Sequence, residues 1–321
     1  MKSFLNVNSS PHLKHPDTTS SIMLDVIIAL LPACAFSVIL FRLNAVLLLL
    51  TCVAAAVLSE FLWNVILKKK NTISDLSAVI TGLLLAMNLP AKTPLWMAAI
   101  GSVVAIILVK QMFGGLGHNF ANPAITARIV MMVSFPAVLG NLGNYSLALT
   151  DTVTGATPLS FISSKASEIP ETINLKNLFF GLEDGCIGET SAFLLLIGGF
   201  YLVLRRIITP TIPVSFIGTV ALLTWIFGDN VSIAVFGGGL MLGAIFMATD
   251  YTTSPTTELG KLIFGIGCGV ITFVIRKYAA LPEGVSYSIL LMNILVPHIN
   301  RISVKKPFGF VSPKKEVKAD E

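Results

Sequence analysis

The sequence predicts an all-α polytopic membrane protein, and its composition and hydropathy carry that prediction. Of the 321 residues, 54% are hydrophobic and 12% are charged, whereas a soluble domain has about 25% charged residues. The mean hydropathy is +0.83, and apolar runs long enough to cross a bilayer recur along the whole chain. So little charge leaves too little polar surface to cover a globule in water.

Segment length and hydropathy predict about ten transmembrane helices. They are expected at residues 22–41, 44–67, 73–89, 94–112, 121–139, 191–208, 211–227, 231–249, 259–277 and 284–300. The segments at 73–89 and 231–249 are short or rich in glycine, so we expect these two helices to be broken.

Lysine and arginine residues orient the predicted helices. Most of them, including Lys110 and those of the C-terminal tail, face the cytoplasm if the N-terminus is cytoplasmic. An even number of helices then returns the C-terminus to the same side. The net charge of +5 is therefore interpreted as orientation in a cytoplasmic membrane rather than as nucleic-acid binding.

The longest connection divides the chain into two halves with the same number of predicted helices. The expected parts are a cytoplasmic segment at 1–21, a five-helix repeat at 22–139, an extracytoplasmic loop at 140–190, a second five-helix repeat at 191–300 and a basic cytoplasmic tail at 301–321. An odd-numbered unit that is duplicated points opposite ways in its two copies, which predicts a 5+5 inverted repeat.

A similarity between one segment of each half favours this duplication. Residues 82–90 and 243–255 each place small residues at helical spacing before a polar residue and then a proline. Small residues also let membrane helices pack closely, which explains the same pattern without duplication.

The extracytoplasmic loop contains Thr154-Gly155-Ala156-Thr157, followed by Pro158. Thr157 before a proline suits a helix N-cap with proline in the first helical position. The start of a helix also offers free N–H groups to a phosphate, so the Thr157 hydroxyl is a candidate for a phosphoester. The two interpretations are compatible.

A second candidate region is the glycine-rich stretch at 113–123, which ends in Asn122-Pro123 and precedes Arg128. Asn122-Pro123 predicts a helix start. The glycines suit either close approach to a ligand or a plain re-entrant turn. Arg128 lies inside the fifth segment, and ionisable groups within a membrane are functional candidates by default.

Arg128 has two interpretations that the sequence leaves open. It binds a phosphate or carbonyl of a cofactor, or it forms an ion pair with Asp25, Glu60 or Asp250. The four cysteines form no CxxC pair, so we expect no metal site held by this chain alone.

Several stretches in order resemble the RnfD/NqrB family. Thr154-Gly155-Ala156-Thr157 is similar to the S/T-G-A-T motif at which that family carries covalent FMN. Further similar stretches lie at 9–12, 22–26, 74–76, 82–90, 120–124 with Arg128, and 281–284. The resemblance covers nearly the full chain, and its length is closer to the RnfD branch.

The resemblance implies a flavoprotein of a bacterial cytoplasmic membrane. FMN would be esterified through its phosphate to Thr157 by a flavin transferase that uses FAD outside the membrane. A second, non-covalent flavin, riboflavin, would lie in the same subunit, with Arg128 and Asn122 as candidate contacts. The chain would be a subunit of an Rnf complex with RnfA, RnfB, RnfC, RnfE and RnfG.

In that complex, electron transfer between ferredoxin and NAD is coupled to Na⁺ or H⁺ translocation. An NAD site in this chain is not expected, because no GxGxxG motif follows a predicted strand. Two other functions stay open. A 5+5 architecture also suits a solute channel or secondary transporter, and the chain could be a structural anchor for a complex.

Overall fold

The computed structural model describes residues 17–69, 72–136, 139, 175–181, 186–189, 191–279 and 284–304. Within these residues the chain is helical, with one isolated β-bridge between Pro90 and Cys186. This architecture confirms the all-α class.

The helices are named here in chain order. They are α1 (Thr19–Ile66), α2 (Ser77–Met87), α3 (Leu95–Val103), which continues as π-helix Val104–Gln111, α4 (Pro123–Ser134), α5 (Leu175–Phe180), α6 (Ala192–Leu204), α7 (Thr211–Ile226), α8 (Val231–Phe236), α9 (Leu240–Leu242), which continues as π-helix Gly243–Met247, α10 (Glu258–Tyr278) and α11 (Val285–Ser303). Single 3-10 turns lie at Ile73–Asp75 and Ile187–Glu189.

Polar residues begin five of these helices. The side chains of Thr18, Asn122, Ser191, Asn230 and Thr257 each accept a hydrogen bond from a backbone N–H of the first turn. Such caps satisfy donors that would otherwise lack partners, which is costly in an apolar environment.

Helix α1 turns back on itself at Arg42, which has a non-helical φ of 51° and ψ of −131°. In a straight helix, Cys34 and Cys52 would lie about 27 Å apart. Instead, Cys34 Sγ lies 3.7 Å from Met87 Sδ, and a Cβ on Gly82 would lie 2.7 Å from the Cys52 carbonyl oxygen. Met87 and Gly82 are only about 7.5 Å apart along α2, so the two arms of α1 flank the same short helix.

Two described helices, α1 and α10, are long and apolar enough to cross a membrane by length and composition. Shorter apolar helices include α2, α4, α6 and α7, and α3 joined to its π-helical continuation. The expected ten spans therefore stay a prediction.

Both segments that the sequence marks as broken are interrupted in the structure. Helix α2 has only 11 residues, or about 16 Å, which is half of a hydrocarbon core of about 30 Å. Helices α8 and α9 are separated at Gly237 and Gly238, and Gly238 has a φ of 68°. The end of α2 meets the π-helix that continues α9, where Asn88 Nδ2 lies 3.4 Å from Met247 Sδ.

Candidate functional site

A cleft opens between α1, α2, the end of α3, the turn before α4 and the turn after α9. About 800 Å³ of space free of protein atoms lies within it and in the open solvent at its mouth. Its walls are largely aliphatic, and the polar side chains among its lining residues include Ser77, Thr81, Lys110, Asn119, Asn122 and Asp250. Binding sites for small molecules commonly combine an apolar lining with a few placed polar groups.

Asn122 is fixed at the cleft wall by three hydrogen bonds. Its Oδ1 accepts from the backbone N–H groups of Ala124 at 3.0 Å and Ile125 at 3.4 Å. Asn122 is thus the N-cap of α4, and Pro123 is the first residue of the helix. Its Nδ2 donates to the Met247 carbonyl oxygen at 3.2 Å. The predicted helix start is confirmed, and the same amide ties α4 to the end of α9.

Asn119 lines the cleft and has a side-chain acceptor that the described residues leave unused. Its Nδ2 lies 3.2 Å from Thr252 Oγ1, which in turn lies 3.1 Å from Asp250 Oδ2. Because the Thr252 hydroxyl proton points to the carboxylate, the hydroxyl oxygen accepts from the Asn119 amide. Asn119 Oδ1 is buried and has no hydrogen-bond partner within the described part of the chain. A buried acceptor of this kind costs free energy unless a donor reaches it.

Asp250 forms the end of this hydrogen-bonded chain. Its carboxylate accepts from the Thr252 backbone N–H at 3.4 Å and from the hydroxyl groups of Thr252 and Thr253 at 3.1 and 3.3 Å. These bonds stabilise the turn that follows α9, and Asp250 and Thr252 of this turn line the cleft.

A buried ion pair contributes one of its two members, Lys110, to the lining of the cleft. Lys110 Nζ lies 2.9 Å from Glu60 Oε2 and donates to Ser77 Oγ at 2.7 Å. Glu60 Oε1 also accepts from the Thr72 hydroxyl at 2.6 Å and from the Gln111 side-chain amide at 3.1 Å. The two charged side chains are 3% and 1% exposed, so the pair is almost fully removed from solvent.

Sequence reasoning missed this ion pair. It counted Lys110 among the charges that orient the helices, whereas the structure buries Lys110 and lines the cleft with it. One signal was available, because Lys110 falls inside the predicted segment 94–112 and a lysine within a membrane usually has a function or a partner.

Arg128 is buried but is not among the residues that line the cleft. Its Nη1 donates to Asn88 Oδ1 at 2.5 Å, and its Nη2 lies 3.6 Å from Cys186 Sγ. Asn88 ends α2, where unpaired carbonyl groups give a helix a partial negative charge that a cation stabilises. Arg128 therefore joins α4, the end of α2 and the bridge at Pro90, and these contacts explain its burial.

Other carboxylates that the sequence offered as partners have neighbours of their own. Asp25 accepts from the Tyr201 hydroxyl at 2.7 Å and from Arg205 Nη2 at 3.0 Å, which ties α1 to α6. Glu60 pairs with Lys110, as described above.

The predicted attachment motif, Thr154 to Thr157, lies outside the described residues. The nearest described positions are Leu139 before it and Leu175 after it. A flavin ester at Thr157 therefore stays a prediction from the sequence.

Comparison with known proteins places the chain in a family. A family model described as the NQR2, RnfD, RnfE family matches residues 6–309. The chain is 48% identical over 317 residues to the D subunit of the Na(+)-translocating ferredoxin:NAD(+) oxidoreductase complex of Acetobacterium woodii, covering 98% of each chain. It is 42% identical over 321 residues to the D subunit of the proton-translocating ferredoxin:NAD(+) oxidoreductase complex of Clostridium ljungdahlii, covering 96% of this chain and 97% of that one.

A third relative is the D subunit of the ion-translocating oxidoreductase complex of Stutzerimonas stutzeri. It is 37% identical over 324 residues, with 90% of this chain and 91% of the relative covered. Both the family model and these relatives span nearly the whole sequence. The chain belongs to the NQR2, RnfD, RnfE family.

Proposed function

We propose that this chain is the integral membrane D subunit of an ion-translocating ferredoxin:NAD⁺ oxidoreductase complex, in which it carries electrons through bound flavin. One observation carries the proposal: relatives named as the D subunit of such complexes align over nearly the entire chain. The remaining Rnf subunits, RnfA, RnfB, RnfC, RnfE and RnfG, would hold the NAD site and the iron–sulfur clusters.

The first flavin would be FMN esterified to Thr157. The support is the Thr154-Gly155-Ala156-Thr157 motif, together with its place in the longest loop between apolar segments. A flavin supplies one- and two-electron chemistry, while the protein sets its position and potential. The Thr157 hydroxyl provides the anchor, and Gly155 and Ala156 leave the backbone accessible to the flavin transferase.

The second flavin would be non-covalent riboflavin in the cleft. Two features of the cleft fit it: an aliphatic lining and the unused acceptor on Asn119. The isoalloxazine ring is apolar over its faces and carries an N–H donor at one edge, which suits a buried carbonyl oxygen. Asn122 already uses both ends of its amide, so its contribution would be to shape the wall.

The membrane arrangement we propose has ten spans, with both termini in the cytoplasm and two inverted five-helix repeats. Two ion pairs support the repeat. Glu60 and Lys110 lie in the second and fourth segments of the first unit, and Asp229 and Lys277 lie at the ends of the same two segments of the second.

The two interrupted helices also correspond in their sequences. Asn88 follows Gly82 by six positions, and Asp250 follows Gly243 by seven. The extra residue falls within the π-helix Gly243–Met247, and a π-helical turn accommodates one residue more than an α-helical turn. The corresponding stretches can therefore descend from one ancestral segment despite their unequal lengths.

The covalent flavin is tested by mass spectrometry of the full chain made together with its flavin transferase. We expect the peptide that contains Thr157 to carry one FMN less one water. Thr157→Ala should abolish this addition and the yellow fluorescence of the denatured protein, whereas Ser160→Ala, outside the motif, should retain the ester. An unmodified Thr157 in native membranes would remove the covalent-flavin proposal.

Electron transfer by the intact complex separates the proposed role from the alternatives. Thr157→Ala should stop electron flow between ferredoxin and NAD while the complex remains assembled. Unchanged electron flow would instead indicate a structural anchor. Flux of a solute through vesicles that hold this chain alone, unaffected by Thr157→Ala, would indicate a transporter.

The cleft flavin is tested separately by Asn119→Leu, placed in a Thr157→Ala background so that bound flavin is non-covalent. Leaving the flavin N–H buried without an acceptor costs about 1–3 kcal/mol, so riboflavin should bind about 5- to 150-fold more weakly. The measurement is flavin fluorescence retained by the purified chain at graded riboflavin concentrations. Asn44→Leu, at an exposed position beside the bend of α1, is the matched control and should bind normally. Equal affinity in both variants would exclude Asn119 as a contact.

A further inference from the structure

The ion pair between Glu60 and Lys110 is oriented towards the cleft. Lys110 and its hydrogen-bond partner Ser77 are both lining residues, whereas Glu60 is not. The positive end of the pair thus lies at the cleft wall, and the negative end lies behind it. Although the pair is neutral as a whole, a group in the cleft is closer to the ammonium than to the carboxylate.

The position of the ammonium is tightly determined. Lys110 Nζ has two partners at 2.9 and 2.7 Å, and Glu60 is itself held by Thr72 and Gln111. Both charges are nearly fully buried, so water screens them little and their field acts strongly over short distances. Fixed charges of this kind act on a neighbouring reaction without having to reorganise.

We propose that Lys110, held in place by Glu60, raises the reduction potential of the flavin bound in the cleft. The inference rests on the proposed function, because it needs a flavin there. Uptake of two electrons and one proton gives the ring one more negative charge than it has when oxidised. The electrons come from the ferredoxin side of the proposed reaction and the proton comes from water. A fixed ammonium at the wall stabilises the added charge, and therefore the reduced form, more than the oxidised form.

The chain contains a matched control in its other half. Lys277 Nζ lies 2.7 Å from Asp229 Oδ2, at the ends of α10 and α7, and neither residue lines the cleft. This second pair has the same chemistry as the first but a different location. Neutralising it should disturb helix packing comparably or less, and should leave the cleft potential unchanged.

The test is an anaerobic spectroelectrochemical titration of the full chain in a Thr157→Ala background, loaded with riboflavin. Glu60→Gln/Lys110→Met removes both charges and keeps an acceptor for Thr72. We expect the equilibrium constant for two-electron reduction to fall at least tenfold, which is about 30 mV towards more negative potentials. Asp229→Asn/Lys277→Met should titrate like the parent chain.

Three results would contradict the proposals, and they differ from one another. Bound riboflavin whose potential is the same in the parent and in Glu60→Gln/Lys110→Met overturns the role of Lys110 but leaves the cleft flavin standing. A parent chain that binds no riboflavin overturns the cleft flavin itself. A shift of equal size in Asp229→Asn/Lys277→Met shows a general effect of lost ion pairs and also overturns the inference.

A variant that loses the ligand still permits the titration. If Glu60→Gln/Lys110→Met does not retain riboflavin, Lys110→Gln is titrated at saturating riboflavin by the same criterion. Lys110→Arg conserves the charge and should keep the parent potential, which separates charge from side-chain shape.

Discussion

Glu60→Gln alone is expected to destabilise the chain by about 3–5 kcal/mol, because it leaves the Lys110 ammonium buried without its carboxylate. Glutamine keeps the size of the side chain and can still accept from Thr72, so the loss isolates the missing charge. Lys110 is only 2% exposed, so water solvates its ammonium little. The measurement is unfolding of the purified full chain in mixed micelles, monitored by tryptophan fluorescence.

Two further variants show whether the unpaired charge causes the loss of stability in Glu60→Gln. Glu60→Gln/Lys110→Met removes both charges and should recover most of the lost stability, since a buried ion pair can often be replaced by uncharged groups at little cost. Asp229→Asn should cost only about 1 kcal/mol, because its partner Lys277 is 18% exposed and keeps some access to solvent. If Asp229→Asn is as damaging as Glu60→Gln, burial does not explain the effect.

Local sequence patterns are sufficient to predict several elements of this fold. The two broken segments at 73–89 and 231–249 are expected from glycine content and length, and both are interrupted. The start of α4 is expected from Asn122-Pro123, because capping depends only on neighbouring residues. Each of these features is determined within a few residues of chain.

The polar contacts of the cleft depend instead on which helices pack together. Glu60 and Lys110 are 50 positions apart, and Asn119 and Thr252 are 133 positions apart. Hydropathy shows that each segment is apolar, but it does not show which neighbour a lone charge will meet. For this reason the sequence offers Arg128 several carboxylate partners and gives Lys110 none.

The π-helical turns also could not be predicted from the sequence. Val104–Gln111 and Gly243–Met247 each occur within an apolar run that an α-helix would suit equally well. Tertiary packing selects the wider turn, and π-helical turns are frequent at functional sites. Here the first π-helix ends with Lys110 and Gln111, and the second is followed by the turn that contains Asp250.

Gly198→Leu is expected to be the most damaging apolar substitution that we predict. A Cβ on Gly198 would overlap the backbone carbonyl oxygen of Ala29, so α6 cannot keep its distance from α1. Small residues permit such close approach of membrane helices, and backbone atoms cannot move aside as a flexible side chain can. We expect a loss of about 3 kcal/mol, at the upper end of the usual cost of overpacking.

The same α1–α6 interface also contains a hydrogen bond between side chains, which gives the experiment a second readout. One turn beyond Gly198, the Tyr201 hydroxyl donates to Asp25 at 2.7 Å across the α1–α6 interface. If Gly198→Leu separates the helices, removing this link should cost little more, so Gly198→Leu/Tyr201→Phe should be about as stable as Gly198→Leu. In the parent chain, Tyr201→Phe alone should cost about 1 kcal/mol or more, because the carboxylate loses a donor.

Gly218→Leu on α7 is the control, because within the described residues no atom beyond its own turn of helix lies within 4 Å of the position that its Cβ would occupy. Both substitutions add the same side chain to an apolar helix, so they differ mainly in the space available. Gly218→Leu should unfold like the parent chain in mixed micelles, while Gly198→Leu should unfold earlier. Equal losses in the two variants would show that helix propensity or lipid contact, rather than the close approach of α6 to α1, governs the stability of this interface.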